Sequence, residues 1–186
     1  MKKESFCRWA LVSAFFLAAY IPAVSFAQDF AGTWNYDKSQ SKNVGAFFES
    51  GEMRYRLVIT SDGSGKMVIV EQTATEAGWK KSTLNVDLNG PQTTSEFPRG
   101  DIARFSFEAV AIGPDQTVMT KAVQGSDRTQ FDLTSRFTAL VSQGTYDVVL
   151  KSHYALSADG KTLTVTETRN SRVEDEPAVY VFHRAN

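Results

Sequence analysis

The chain has 186 residues, with 20 Lys and Arg against 21 Asp and Glu, two His, five Pro and a single Cys. That length suits one domain, and the near-zero net charge argues against electrostatic binding of nucleic acid or a membrane surface. Cys7 has no partner in the chain, so a disulfide framework and a Cys-based metal site are both excluded.

In chain order, Lys2, Lys3 and Arg8 give a positive start, and an apolar run follows from Trp9 to Val24. Ser25-Phe26-Ala27 places small residues at the two positions a signal peptidase reads, so residues 1–27 read as a signal peptide cleaved after Ala27. The expected mature protein is then 28–186, exported to the periplasm or beyond, with no membrane span of its own. Cys7 precedes the apolar run, which excludes it as the lipid-bearing Cys of a lipoprotein.

From there, turn signals recur at short intervals: Ser61-Asp62-Gly63-Ser64-Gly65, Asn89-Gly90-Pro91, Gly113-Pro114-Asp115, Gln124-Gly125-Ser126-Asp127, Ser142-Gln143-Gly144 and Ala158-Asp159-Gly160. Between them apolar residues alternate with polar ones. Strands are predicted over 32–37, 54–60, 66–74, 79–88, 104–112, 116–123, 131–139, 146–156, 162–168 and 178–184. No window after Ala27 repeats apolar residues at helical spacing, so the fold class is all-β, an antiparallel sandwich or barrel. Residues 38–52 break the rhythm around Phe47-Phe48 and read as a loop or a short helix. Residues 170–177 read as a charged surface connection in which Glu174-Asp175-Glu176 are solvated, since a Ca²⁺ site wants six to eight oxygens from an ordered loop.

Three motifs add topology. Phe30-Ala31-Gly32-Thr33-Trp34 opens the mature chain, Ser157-Ala158-Asp159-Gly160-Lys161-Thr162-Leu163-Thr164-Val165-Thr166 comes late, and Phe182-His183-Arg184 closes it. Together they resemble the bacterial exported lipocalin-like (calycin) proteins, which pair a Gly-x-Trp first strand with such a hairpin and a C-terminal F-x-R. The likeness covers both ends in the right order, while 38–145 matches only in strand rhythm. It implies a single antiparallel up-and-down β-barrel of about eight to ten strands. It further implies that Gly32, Trp34 and Arg184 are structural: the indole packs under the barrel floor and a late basic residue covers its ring.

Chemistry is sparse. No H-x-H, H-E-x-x-H or G-x-S-x-G pattern is present, and Gly63-Ser64-Gly65-Lys66 reads as a hairpin turn because no Ser or Thr follows the Lys. No metal, cofactor or catalytic residue is expected. Glu71 and Glu167 are the inward candidates for acid–base work, but each sits near a predicted strand end, where a carboxylate reaches water. His153 belongs to the wet face. The expected cavity wall is Tyr55, Phe105, Phe107, Phe131, Phe137, Tyr146 and Tyr154, since an eight-stranded barrel is either filled by side chains or holds one small ligand. Phe47 and Phe48 are candidates for a lid. The first functional expectation is a carrier of a small hydrophobic molecule in the cell envelope. Its rivals are a filled barrel acting through its surface near Phe47-Phe48 or Trp79, and a cavity isomerase or hydrolase.

Overall fold

The computed structural model describes residues 30–44, 54–75, 78–97, 102–103, 110–112, 117–141, 144–170 and 176–186. Among these residues the strands are β1 (Gly32–Tyr36), β2 (Tyr55–Ser61), β3 (Lys66–Thr75), β4 (Gly78–Asp87), β5 (Thr93–Glu96), β6 (Ile102–Ala103), β7 (Val110–Ile112), β8 (Thr117–Gln124), β9 (Gln130–Val141), β10 (Gly144–Leu156), β11 (Thr162–Arg169) and β12 (Ala178–Arg184). The sheet order is β4-β3-β2-β1-β12-β11-β10-β9, and β9 then carries β8 along Phe131–Arg136 and β7 along Ala139–Leu140. The first and last strands pair antiparallel, with Trp34 opposite Arg184 and Tyr36 opposite Phe182.

The other side closes through side chains. β5 pairs with β8 from Thr93↔Thr120 to Glu96↔Thr117. It meets β4 differently: the Asn85 amide donates to Ser95 Oγ at 2.8 Å, and Thr93 Oγ1 donates to the Asn85 carbonyl. Further along, one parallel bridge joins Leu88 to Ala122. The protein is therefore all-β, a nearly closed up-and-down barrel of ten antiparallel strands, β1–β5 and β8–β12, with β6 and β7 extending β9.

Alternation drives the closure. Every second residue points inward, and Leu57, Ile59, Ile69, Leu84, Leu133, Leu150, Leu163 and Val118 are fully buried. Each such side chain contributes roughly 1.5–3 kcal/mol on burial. The β10–β11 turn is built by its own sequence. Asp159 accepts from Ser157 Oγ (2.6 Å) and from the Lys161 amide (3.1 Å), and Gly160 adopts φ +67°, which a residue without a Cβ reaches at no steric cost.

Nine of the ten predicted strand segments lie within two residues of an observed strand. Of 104–112, only Val110–Ile112 is described as strand, and 104–109 falls outside the described residues. β5 was not predicted. Of 38–52, the described part 38–44 forms a turn followed by a bridge from Lys42 to Val179.

Candidate functional site

The N-terminal motif builds the barrel floor. Trp34 is fully buried, and its Nε1–H donates to the Phe30 carbonyl at 2.9 Å. The Arg184 guanidinium lies 4.2 Å from the centre of the indole ring. Its Nε donates to the Gly160 carbonyl at 2.8 Å and its Nη1 to the Ala31 carbonyl at 2.7 Å. One cation thus ties the first strand, the last strand and the β10–β11 turn together. Gly32 makes this possible: its φ is +149°, and a Cβ there would stand 2.7 Å from Arg184 Nη1. Phe30 packs edge-on against Phe131, which stacks on Tyr154 at 4.5 Å.

Above that floor the interior turns polar. Glu71 on β3 and Glu167 on β11 are each only 6 % exposed, as is Arg169 two residues further along β11. Register places them: Glu71 stands opposite Leu57 and Ser82, and Glu167 stands between Ser152 and Ala178. The two carboxyl groups share a cavity with Tyr55, Tyr154, Tyr180 and Phe182, whose volume is about 10 Å³. That is room for one water. Ser152 Oγ donates to Glu167 Oε1 at 2.9 Å.

The electrostatics follow from this crowding. Burial pushes the Glu167 carboxyl well above the usual range, the nearby Glu71 charge pushes it the same way, and the Ser152 hydrogen bond opposes both. Burial likewise raises the Tyr55, Tyr154 and Tyr180 phenols, with both glutamates adding to the effect. The phenols therefore stay neutral. Ser135 and Thr120, both 1 % exposed, continue the polar belt onto β9 and β8.

The expectation that Glu71 and Glu167 reach water is corrected here. β3 runs on to Thr75 and β11 to Arg169, so neither residue ends its strand. The side chains of β2, β10 and β12 then close over both carboxyls. Of the aromatic residues expected on the cavity wall, Tyr55, Phe131, Phe137 and Tyr154 are buried, and Tyr146 is half-buried against the core. Of these, Tyr55 and Tyr154 line the small cavity. Phe105, Phe107, Phe47 and Phe48 lie outside the described residues. Sequence reasoning did not single out Ser152, Arg169 or Tyr180. Their signal was strand parity, since Arg169 continues the inward series Leu163, Val165, Glu167.

Both histidines stay outside. His153 Nδ1 lies 2.8 Å from Asp132 Oδ1 across the β9–β10 pair, and His183 Nε2 lies 3.0 Å from Asp37 Oδ2. Among the described residues no group of three or more His, Cys, Asp and Glu could hold a metal ion. Nor is any described helix long and apolar enough to cross a membrane. What the interior can do chemically is accept and donate hydrogen bonds, and hold or release a proton at a carboxyl group.

No family model and no curated protein matches the chain. Among solved structures it is similar to fatty-acid-binding protein 1 of Echinococcus granulosus, at 12 % identity and a TM-score of 0.49, over 86 % of this chain and 99 % of that one. The fold itself is carried by the strand order and register given above.

Proposed function

We propose that the chain binds a small molecule inside the barrel, an apolar body with a hydrogen-bonding head, and that Glu71, Glu167 and the three cavity tyrosines meet that head. One observation carries this reading: two carboxyl groups are buried in one cavity of the barrel interior. A barrel that needed only to be solid is better served by Leu, because a polar group taken from water costs roughly 1–3 kcal/mol in proteins unless fully compensated. A buried carboxyl whose ionisation is disfavoured, such as Glu167 in this cavity, is a candidate for a functional group. The ligand displaces the water-sized void and turns tyrosine side chains aside, with Phe131 and Phe137 as part of the apolar wall. We further infer that the mature chain starts after Ala27 and acts in the cell envelope, which the intact mass of the exported protein tests.

Native mass spectrometry of the protein purified from its own host tests the binding. A small molecule retained by wild type and lost from a Glu71→Gln/Glu167→Gln variant of unchanged circular dichroism is the expected result. Wild-type protein that carries no small molecule, and takes none up from a host lipid extract, overturns the reading.

A second reading, a module acting through its outer surface, is favoured by Trp79. This indole is 37 % exposed on β4, with the Arg56 guanidinium 4.2 Å and that of Arg54 5.9 Å from its ring centre, and with Lys81 exposed two residues further along the strand. Trp79→Ser abolishes partner capture if this surface is the active one, and leaves the mass spectrum of bound small molecules unchanged.

A further inference from the structure

We propose that the outer edge of β4 from Trp79 to Thr83 takes up an extended acidic segment of a protein partner as an added strand, with Arg54, Arg56, Trp79 and Lys81 meeting its side chains. This deepens the reading in which the surface around Trp79 acts. It does not depend on a ligand in the barrel.

The seam sets the edge. Asn85 turns its amide to Ser95 Oγ at 2.8 Å and its carbonyl to Thr93 Oγ1, both on the side away from β3. In an antiparallel ladder the backbone groups of every second residue point the same way. Those of Trp79, Lys81 and Thr83 therefore also point away from β3. Among the described residues β4 ends the sheet order there, and nothing bonds these amides and carbonyls. Such a row of unpaired N–H and C=O groups is a template for another strand.

The face beside this edge selects the sign of the partner. Register sets Arg56, Gln72 and Lys81 in one row across β2, β3 and β4, and Trp79 stands opposite Ala74 in the next. The Ala74 amide donates to the Arg54 carbonyl at 2.9 Å, which brings Arg54 into that second row. Arg56 is held in place: its Nε donates to the buried Gln72 Oε1 at 2.8 Å, and its guanidinium lies over the Trp79 ring. A fork ordered beforehand loses less freedom when it pairs with a carboxylate. Among the described residues neither arginine nor Lys81 pairs with an acidic group. An added strand presents every second side chain to this face, so acidic residues at alternate positions meet these cations.

A second copy of this chain is the poorer occupant. Its own β4 edge carries Lys80 and Lys81, and like charges set opposite each other destabilise a strand pair. Lysines on an edge thus discourage pairing between copies and leave the edge open to a strand of opposite charge.

Hydrogen exchange on the full chain tests the edge. The amides of Trp79, Lys81 and Thr83 are expected to exchange fast, and those of Lys80 and Ser82, which face β3, slowly. No difference between the two sets overturns the proposal. The docking probe is a strand-length peptide alternating Glu and Thr. It is expected to bind, to slow the Trp79, Lys81 and Thr83 amides, and to lose about tenfold in affinity with Arg56→Gln/Lys81→Gln. The same peptide N-methylated at alternate residues keeps its charge but cannot form the ladder, and is expected not to bind; nor is a peptide alternating Lys and Thr. Absence of binding by the Glu–Thr peptide, or equal binding by its N-methylated form, overturns strand addition. Phosphatidylglycerol vesicles that bind the chain where the peptide does not would identify a lipid surface instead, and overturn it too. Binding that survives N-methylation but is lost from Trp79→Ser keeps the wider surface reading while removing the added strand.

Discussion

The two ends of the barrel interior treat charge in opposite ways. At the floor, the Arg184 guanidinium is spread over an indole face and donates to two carbonyls from different elements, so the charge itself is the tie. Higher up, Glu71 and Glu167 line one small cavity, and burial works against the ionised form of Glu167. A charge surrounded by fixed partners serves the fold. A charge crowded by its own kind lowers stability, and is kept only where it does something else.

Removing the indole breaks the floor at its centre. Trp34→Ala empties a fully buried site, and the expected loss is about 3–5 kcal/mol in urea unfolding, the range for large core truncations. A loss below roughly 1 kcal/mol would mean that the Gly-x-Trp strand does not seal the barrel.

Next in size are the residues that hold the cation over the ring. Gly32→Ala forces a Cβ against Arg184 Nη1 at a backbone conformation that L-residues rarely adopt, at a cost of about 1–3 kcal/mol. Arg184→Lys keeps the charge but loses the planar fork that reaches Gly160 and Ala31 together, and is expected to cost about 2 kcal/mol. Agreement between these two losses, and no further loss in the double variant, would show that both act through the same contact.

The ends of the chain were legible because their signals are local. Gly-x-Trp, the Asp-Gly turn and strict alternation each constrain a few neighbouring residues, and the resemblance they carry implied the basic cover over Trp34, whose register with Arg184 the structure supplies. The seam was not legible. β5 is Thr-Thr-Ser-Glu, with no apolar alternation, because it meets β4 through hydroxyl groups instead of a backbone ladder. The polar interior was half legible: parity turned Glu71 and Glu167 inward, but whether water follows depends on Tyr55, Tyr154 and Tyr180, which arrive from three other strands. Such long-range closure leaves no mark within a single strand.

The upper interior should respond with the opposite sign. Glu167→Gln removes a charge the barrel disfavours and keeps the shape, so at pH 8 it is expected to stabilise the chain in urea unfolding. The gain disappears below the ordinary Glu range, where wild type is protonated in both states. Arg184→Gln at the floor is destabilising at both pH values. If the two neutralising changes had the same sign at pH 8, the contrast between the ends of the interior would fail.

The smallest expected effect comes from a carboxylate outside the barrel, whose surroundings are the reverse of those of Glu167. Asp37 accepts from Ser39 Oγ at 2.6 Å, from the Ser39 amide at 2.8 Å and from Gln40 at 2.7 Å, and lies 3.0 Å from His183. The Ser39 hydroxyl, with Gln40 and His183, holds its carboxyl well below the usual Asp range, outweighing a modest burial. A lowered value gives stability that is present above the unfolded value of 3.8 and is lost as pH falls through the folded one. Asp37→Asn is therefore expected to cost about 0.5–1 kcal/mol at neutral pH, a surface-limited figure, and the difference from wild type should shrink in acid. The Glu167 variant closes its gap with wild type from the stabilised side, and has closed it by the ordinary Glu range, above the range in which the Asp37 gap shrinks. Two carboxyl substitutions approaching wild type from opposite directions would separate a carboxylate held by donors from one held by exclusion of water.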